Sequence, residues 1–329
     1  MPLKKLKDEK TNKKRLKASI VFCDWNGGED IIKALESVES QTYKGIETIV
    51  VDNGSSDGSA NKIEKGFKGV RLIRNASNLG FAGGNNVGIT AASGDIIFTI
   101  NQDVILTEDF VEKIVRHFEK APNSVGSVGG KILRIDGKLI DSAGLRLSRA
   151  RRFFDRGSEK VDEGQFDRAE EVFGICAAAA AYRKSMLEKI ISGGNRIRYF
   201  DERFYLLVED VDLAWRARHC GYSAYYYPDA VCYHVRGGAG WRNKTKQYLS
   251  FRNRCFLIIK NEYLINIFLA MPWFLFYDCS RLIYLIFSNK LVWKAIREII
   301  GELPSLLKER RLILKNSSMK PSEARRWMN

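Results

Sequence analysis

Long apolar runs are missing from this chain. Within its most apolar segment, 263–287, the longest uncharged run, 263–277, has fifteen residues and includes Asn266 and Pro272, whereas a membrane-crossing helix needs about 20 apolar residues. No spanning helix is expected. The basic N-terminus lacks the apolar core of a secretory signal, so the chain is expected to stay in the cytoplasm. Six cysteines (23, 176, 220, 232, 255 and 279) show no paired spacing, which argues against a zinc site or disulfide framework and for a reducing compartment. No G-x-G-x-x-G follows the first strand-like segment and no G-x-x-x-x-G-K-[ST] occurs anywhere. That removes NAD-type and P-loop nucleotide binding. Prolines number six and histidines three, and no internal repeat is evident.

What is present is the composition of a folded protein, 45% hydrophobic and 28% charged, with length enough for one large domain or two ordinary ones. The formal charge of +15 gathers at the ends. Residues 1–17 carry eight Lys and Arg against two acids, and residues 290–329 carry ten against four, which leaves +3 for the body. A nearly neutral body argues against a nucleic-acid-binding surface. Basic ends suit an anionic phospholipid surface; solvated tails that aid solubility are the plainer reading.

Strand-like and helix-like segments alternate through the first hundred residues. Segments 18–23 (ASIVFC), 46–51 (IETIVV), 70–73 (VRLI) and 95–100 (DIIFTI) read as short buried strands. Between them lie a helical pattern at Ile31, Ile32, Leu35 and Val38 and a helix led by the glycine-rich 80–86. Such alternation with short connections predicts a doubly wound α/β sheet, in which ligands sit beyond the carboxyl ends of the strands. The polar clusters 24–28, 52–59 and 101–103 all fall there. Further on, 127–135 and 139–147 have strand character, 149–168 reads as a charged mobile loop, and 177–181 is five alanines, suited either to a helix or to a place that leaves room for a substrate. Segment 224–234 resembles a strand ending on His234, before a glycine loop at 237–240 with Trp241 and Arg242.

Three clusters carry chemistry. In 204–221 (FYLLVEDVDLAWRARHCG) an apolar run delivers Glu209, Asp210 and Asp212 to the mouth of a helix that stops at Gly221. Helix capping by Asp210 and dipole complementation by Asp212 are the bland reading; adjacent carboxylates beside apolar residues also suit a base of tuned pKa. Asn101-Gln102-Asp103 ends a buried strand, so Asp103 suits Mg2+ or Mn2+ bridging a diphosphate, or merely precedes a helix starting near Thr107. His234 adds an imidazole where a borderline metal could use one. Asp52 is placed to meet a base or ribose, and an Asx-turn would serve its local chemistry equally well. From 263 to 287 the chain turns apolar, with Trp273, Tyr277, Tyr284 and basic residues flanking. These features suit helices lying in a membrane interface; packing on the domain or on a second subunit, as a homo-oligomer, is the alternative.

As an ordered set, SIVFCDWNGGEDIIKALESV, ETIVVDNGSSDGS, NLGFAGGNNVGI, GDIIFTINQDV, FDERFYLLVEDVDLAWRARHCGY and HVRGGAG resemble the family 2 inverting glycosyltransferases, in particular the rhamnosyltransferase-like branch, over about residues 18–260. The resemblance implies a GT-A fold, Rossmann-like with a central mixed sheet flanked by helices. It divides the chain into a basic leader (1–17), a GT-A domain (18–250) and a C-terminal helical, membrane-associating extension (251–329). By it Asp52 would contact the nucleotide base, Trp25 and Asn26 would help form its pocket, and Asn78 and the glycine loop would border it. Asp103 and His234 would hold the metal, Asp210 would be the general base, and Glu209 would position acceptor or donor sugar. Asn101 stands where the D-x-D motif begins, and 195–199 (NRIRY) lengthens the link to Phe200-Asp201-Glu202. The implied reaction moves a sugar, dTDP-rhamnose first and a UDP-sugar second as donor, to a glycan or lipid-linked acceptor at the inner face of the cell membrane. Two other classes compete. A nucleotidyltransferase would carry a glycine loop with an Arg and a downstream Lys after the first strand, where this chain has Asp24-Trp25-Asn26-Gly27; a catalytically inactive scaffold would not need the acids.

Overall fold

The computed structural model describes residues 15–191, 199–236 and 243–328. The leader to residue 14, most of the 195–199 segment and the glycine loop with Trp241 and Arg242 lie outside them. The first half alternates β1 (Ala18–Asp24), α1 (Gly28–Glu39), β2 (Ile46–Asp52), α2 (Ser59–Gly66), β3 (Val70–Arg74), α3 (Gly80–Ala91) and β4 (Ile96–Asn101). Six of the seven β1 residues are buried, as expected for a parallel strand covered on both faces. Strand β1 pairs in parallel with β2 and β4, and β2 with β3. The glycine-rich segment is itself the start of α3 rather than a leader to it. Small residues let this helix lie close on the sheet: a Cβ on Gly84 would fall 2.2 Å from Cys23 Sγ.

The second half turns the sheet mixed. It comprises β5 (Val104–Leu106), α4 (Phe110–Lys120), β6 (Val125–Arg134), β7 (Ile140–Ser142), β8 (Leu145–Leu147), β9 (Phe153–Asp155), β10 (Glu170–Val172), β11 (Ala179–Arg183), α5 (Lys184–Ile191), α6 (Glu209–His219) and β12 (Ser223–His234). Among the described residues the sheet runs β10-β12-β6-β11-β4-β1-β2-β3, with β5 on β12 and β7 on β6; β8 and β9 form a separate hairpin. The alanines enter β11, a strand antiparallel to both β4 and β6. Pairing on both sides overrides the helix propensity of alanine. Nor is 149–168 a bare loop. It contains β9 and turns closed by backbone hydrogen bonds such as Lys160 N to Gly157 O, 2.9 Å, and its charges find partners, Asp162 pairing Lys131 at 2.7 Å.

Beyond the sheet lie α7 (Asn243–Asn261), α8 (Leu264–Leu269), α9 (Met271–Phe274), a π-helical turn (Leu275–Cys279), α10 (Ser280–Ser288), α11 (Leu291–Lys315) and α12 (Pro321–Arg325). Position 250 falls inside α7. A buried ionic network joins these helices to the sheet domain: Lys260 of α7, fully buried, lies 2.6 Å from Asp201 and 2.9 Å from Asp212. Arg216 braces Asp212 at 2.8 Å. Asp212 is thus a structural ion partner, and its carboxylate is consumed there.

Candidate active site

The C-terminal ends of β1, β2 and β4 open into one cleft with a cavity of about 160 Å3. Cys23, near the end of β1, and Trp25, just past it, reach into it, Asn53 follows β2, and Asn101 ends β4 with Gln102 and Asp103 just beyond; Tyr205 and Leu206 also line it. Asn78, Gly80 and Phe81 complete the lining. Gln102 Oε1 accepts a hydrogen bond from Trp25 N at 2.7 Å, so the two loops hold each other. Asn53 knits the rest: its Nδ2 donates to Asn78 Oδ1 and Gly80 O, both at 3.0 Å, and its Oδ1 accepts from Leu79 N at 3.1 Å. Gly80 has φ +73°, and a Cβ there would lie 2.4 Å from the Tyr205 ring; only glycine fits both the conformation and the contact.

Of the residues singled out in the sequence, Trp25, Asn78, Asn101 and Asp103 line the cleft. Asn26 and Asp52 are not among those lining residues. Asn26 Oδ1 accepts from Ser56 N at 2.8 Å and Asp52 Oδ1 from Ser55 N at 2.9 Å, so both side chains brace the loops that follow β1 and β2. Asn53, one residue past Asp52, supplies the lining group. Gln102, Cys23, Tyr205 and Leu206 carried no motif signal of their own beyond lying in or beside the quoted segments.

Strand pairing brings the next two residues together. β5 runs antiparallel to β12 with Val104 opposite His234, so Asp103 and His234 are adjacent. His234 Nε2 lies 3.2 Å from Asp103 Oδ1 and Nδ1 lies 2.8 Å from Asp141 Oδ2. Burial alone would lower the imidazole pKa, but its two carboxylate partners outweigh this and raise it to about 9. Asp141 is completely buried, with Arg236 Nε at 2.6 Å and Arg134 Nε at 3.0 Å. These residues suit a divalent cation. An oxygen and an imidazole nitrogen face one another, and a buried carboxylate holds the far ring nitrogen, the usual support of a metal-binding histidine. Among the described residues no third His, Cys, Asp or Glu joins them; Mg2+ and Mn2+ commonly take their other ligands from water and phosphate.

The acids of α6 approach from the other side. Asp210 Oδ2 accepts from Ala177 N at 3.2 Å, and the next residue, Ala178, receives Asn101 N through its carbonyl at 2.9 Å. One loop thus ties Asp210 to the end of β4. Capping is not its role: Val208 is the N-cap, in a left-handed conformation. Burial, then the charge of Asp155 on β9, hold the Asp210 carboxyl above the usual range. Burial and the neighbouring Asp210 do the same to Glu209. Glu209 is only 6% exposed and turns inward, where its Oε2 lacks a hydrogen-bond partner among the described residues. Asp141, Asp155 and Arg236 were missed by sequence reasoning, although Arg236 lies inside the quoted HVRGGAG segment.

The profile of glycosyl transferase family 2 matches residues 19–191, more than half of the chain. The chain belongs to that family. A stretch of 105 residues is 33% identical to an uncharacterised glycosyltransferase of Haemophilus influenzae, taking in 31% of this chain and 32% of the relative, so the match spans about a third of that protein's length. Longer but weaker is the likeness to the N-acetylglucosaminyl-diphospho-decaprenol L-rhamnosyltransferase of Mycobacterium tuberculosis, 22% identical over 268 residues, or 74% of this chain and 84% of the relative. Among solved structures, a mannosyltransferase of Pyrobaculum calidifontis in complex with GDP-mannose and Mn2+ superposes with a TM-score of 0.55 at 17% identity, covering 92% of this chain and 86% of that one. The family's GT-A fold, a mixed sheet flanked by helices, is the fold described above.

Proposed function

We propose that the protein is an inverting glycosyltransferase that moves a sugar from a nucleotide-sugar donor to a hydroxyl of a glycan or lipid-linked glycan acceptor, in the assembly of cell-surface polysaccharide. The observation that carries this reading is the meeting of Asp103 and His234 beside a cleft of strand-end residues, with a carboxyl of raised pKa, Asp210, tied to the same strand end. The nucleotide would lie against Trp25, Asn53 and Asn78. Asp103 and His234 would hold Mg2+ or Mn2+, which when bound offsets the charge of the departing diphosphate. Asp210 takes the proton of the acceptor hydroxyl, the step an alcohol needs before it becomes a competent nucleophile. Its raised pKa brings it nearer the pH at which it works, and the residue is only partly buried. Attack on the face opposite the leaving group inverts the anomeric centre and requires no covalent sugar–enzyme bond. Glu209, buried behind Asp210, supports the base from within.

The rhamnosyl relative makes dTDP-rhamnose the first donor to try, and UDP- and GDP-sugars follow. The long polyprenol acceptor in that relative's name, together with the apolar face of α8–α10, favours a protein seated on the inner face of the cell membrane. Calorimetry of the full chain against dTDP-, UDP- and GDP-sugars, with Mn2+ and then with EDTA, tests the reading. One donor should bind with a Kd in the range of about 1 μM to 1 mM and weaken on chelation. No binding of any donor in the presence of the cation would overturn it.

A further inference from the structure

The backbone between Phe204 and α6 is held in conformations that side-chain-bearing residues avoid. Three of the seven non-glycine residues with positive φ among those described fall in four consecutive positions: Tyr205 at +63°, Leu207 at +72° and Val208 at +75°. For a β-branched valine this is a true outlier. Such backbone persists only where its surroundings over-determine it, and it tends to occur where function needs a fixed geometry. The carbonyls of this turn cannot all enter a helical ladder, so their partners must come from elsewhere.

They come from α7. The side-chain Nδ2 of Asn253, a fully buried residue, lies 3.0 Å from Phe204 O, 2.9 Å from Leu206 O and 2.7 Å from Leu207 O. Arg252 extends the grip, donating to Arg203 O at 2.8 Å and Phe204 O at 3.2 Å. Its guanidinium also donates to Asn253 Oδ1, from Nε at 3.0 Å and Nη2 at 2.9 Å, which fixes which edge of the amide faces the turn. Arg252 is anchored in turn by Glu298 of α11 at 2.8 Å and the Tyr248 hydroxyl at 2.9 Å.

The clamped turn has two clients. Tyr205 and Leu206 form a wall of the cleft, and Tyr205 O receives Ala82 N of α3 at 3.2 Å. Val208 is the N-cap of α6, whose first two residues are Glu209 and Asp210. We propose that Asn253, braced by Arg252, is a positioning residue for sugar transfer: it fixes in one piece the wall against the donor and the bearing of the base. This rests on the transferase reading. It adds that residues after 250, far from the quoted motifs of the nucleotide half, are part of the working site.

The test compares the full chain with Asn253→Asp, which keeps the size and removes the two N–H donors, and with Asn289→Asp as a control. Asn289 is a buried amide on the same helical layer whose Nδ2 donates to Lys244 O and Gln247 Oε1 instead. Thermal unfolding, donor Kd and turnover at saturating donor are read well below both melting transitions. The proposal predicts turnover down about 100-fold, the scale of a reacting group displaced by about 1 Å, and donor affinity down several-fold for Asn253→Asp. Asn289→Asp should melt earlier yet turn over like the wild type. If Asn253→Asp does not fold, Arg252→Lys, which keeps the charge and loses the fork, should still cost about tenfold in turnover with the fold intact. Folded Asn253→Asp or Arg252→Lys with wild-type turnover and Kd would overturn the positioning role. A wild type that turns over no donor is instead a failure of the transferase reading, and the donor-affinity comparison then decides the clamp alone.

Discussion

A carboxylate serves as a base only while it is ionised, and the surroundings of Asp210 decide when that is. Burial first, and the charge of Asp155 second, hold its pKa above the ordinary range. The sign of the pH dependence follows. Turnover at saturating donor should rise as pH climbs through the Asp210 pKa and level off above it, because the base works deprotonated. Asp155→Asn removes a negative neighbour, stabilises ionised Asp210 and should move that acid limb to lower pH. A pH–rate profile of the two proteins checks it; an unmoved limb would mean that another group controls the rate. Around His234 two carboxylates share one imidazole, so a cation entering there displaces a proton, and cation affinity should weaken as pH falls.

Strands and turns explain which of these residues could be read in advance. β1, β2, β3 and β4 announced themselves as short apolar runs ending in polar clusters, and β12 as an alternating run ending on His234. Strand ends are where such sheets bind ligands, so Trp25, Asn78, Asn101, Asp103 and His234 were legible. Asp52 and Asn53 were not separable, because successive residues leaving a strand point to opposite sides and the register of the loop is a tertiary fact. β11 hid behind the helix propensity of its alanines. Asp155 lay within a charged stretch that looks like solvent-facing loop, yet Asp155 itself is drawn toward Asp210 by the β8–β9 hairpin. Asp141 and Arg236 meet His234 only through the pairing of β6 with β7 and β12. The positive-φ turn before α6 had no local signal either, since no glycine marks it; its support comes from α7, more than forty residues downstream.

At the scale of the molecule, a sheet domain carries the cleft and a helical layer both braces it and presents an unusual face. Phe268, Phe276, Ile283 and Phe287 are exposed, Phe276 and Phe287 by 82% and 88%, and Trp293 and Ile300 continue the face on α11 beside Lys290, Lys294 and Arg297. No helix among the described residues is long and apolar enough to cross a membrane. Aromatic side chains flanked by cations suit the interface of an anionic bilayer. The full chain should co-sediment with vesicles containing anionic lipid and less with zwitterionic ones. Replacing Phe276 and Phe287 by Ser should lower that partition by about 100-fold or more, from about 1.5–3 kcal/mol per buried Phe. Concentration-dependent dimers in light scattering, with no vesicle binding, would assign the face to a second copy. The central claim, that Asp210 is the base of a sugar transfer, is tested most directly by pairing two readouts on Asp210→Asn: donor Kd, and release of nucleoside diphosphate with Mn2+ present. The account predicts a Kd within a few-fold of the wild type and release slower by about 100-fold or more. Release at the wild-type rate from Asp210→Asn would contradict it.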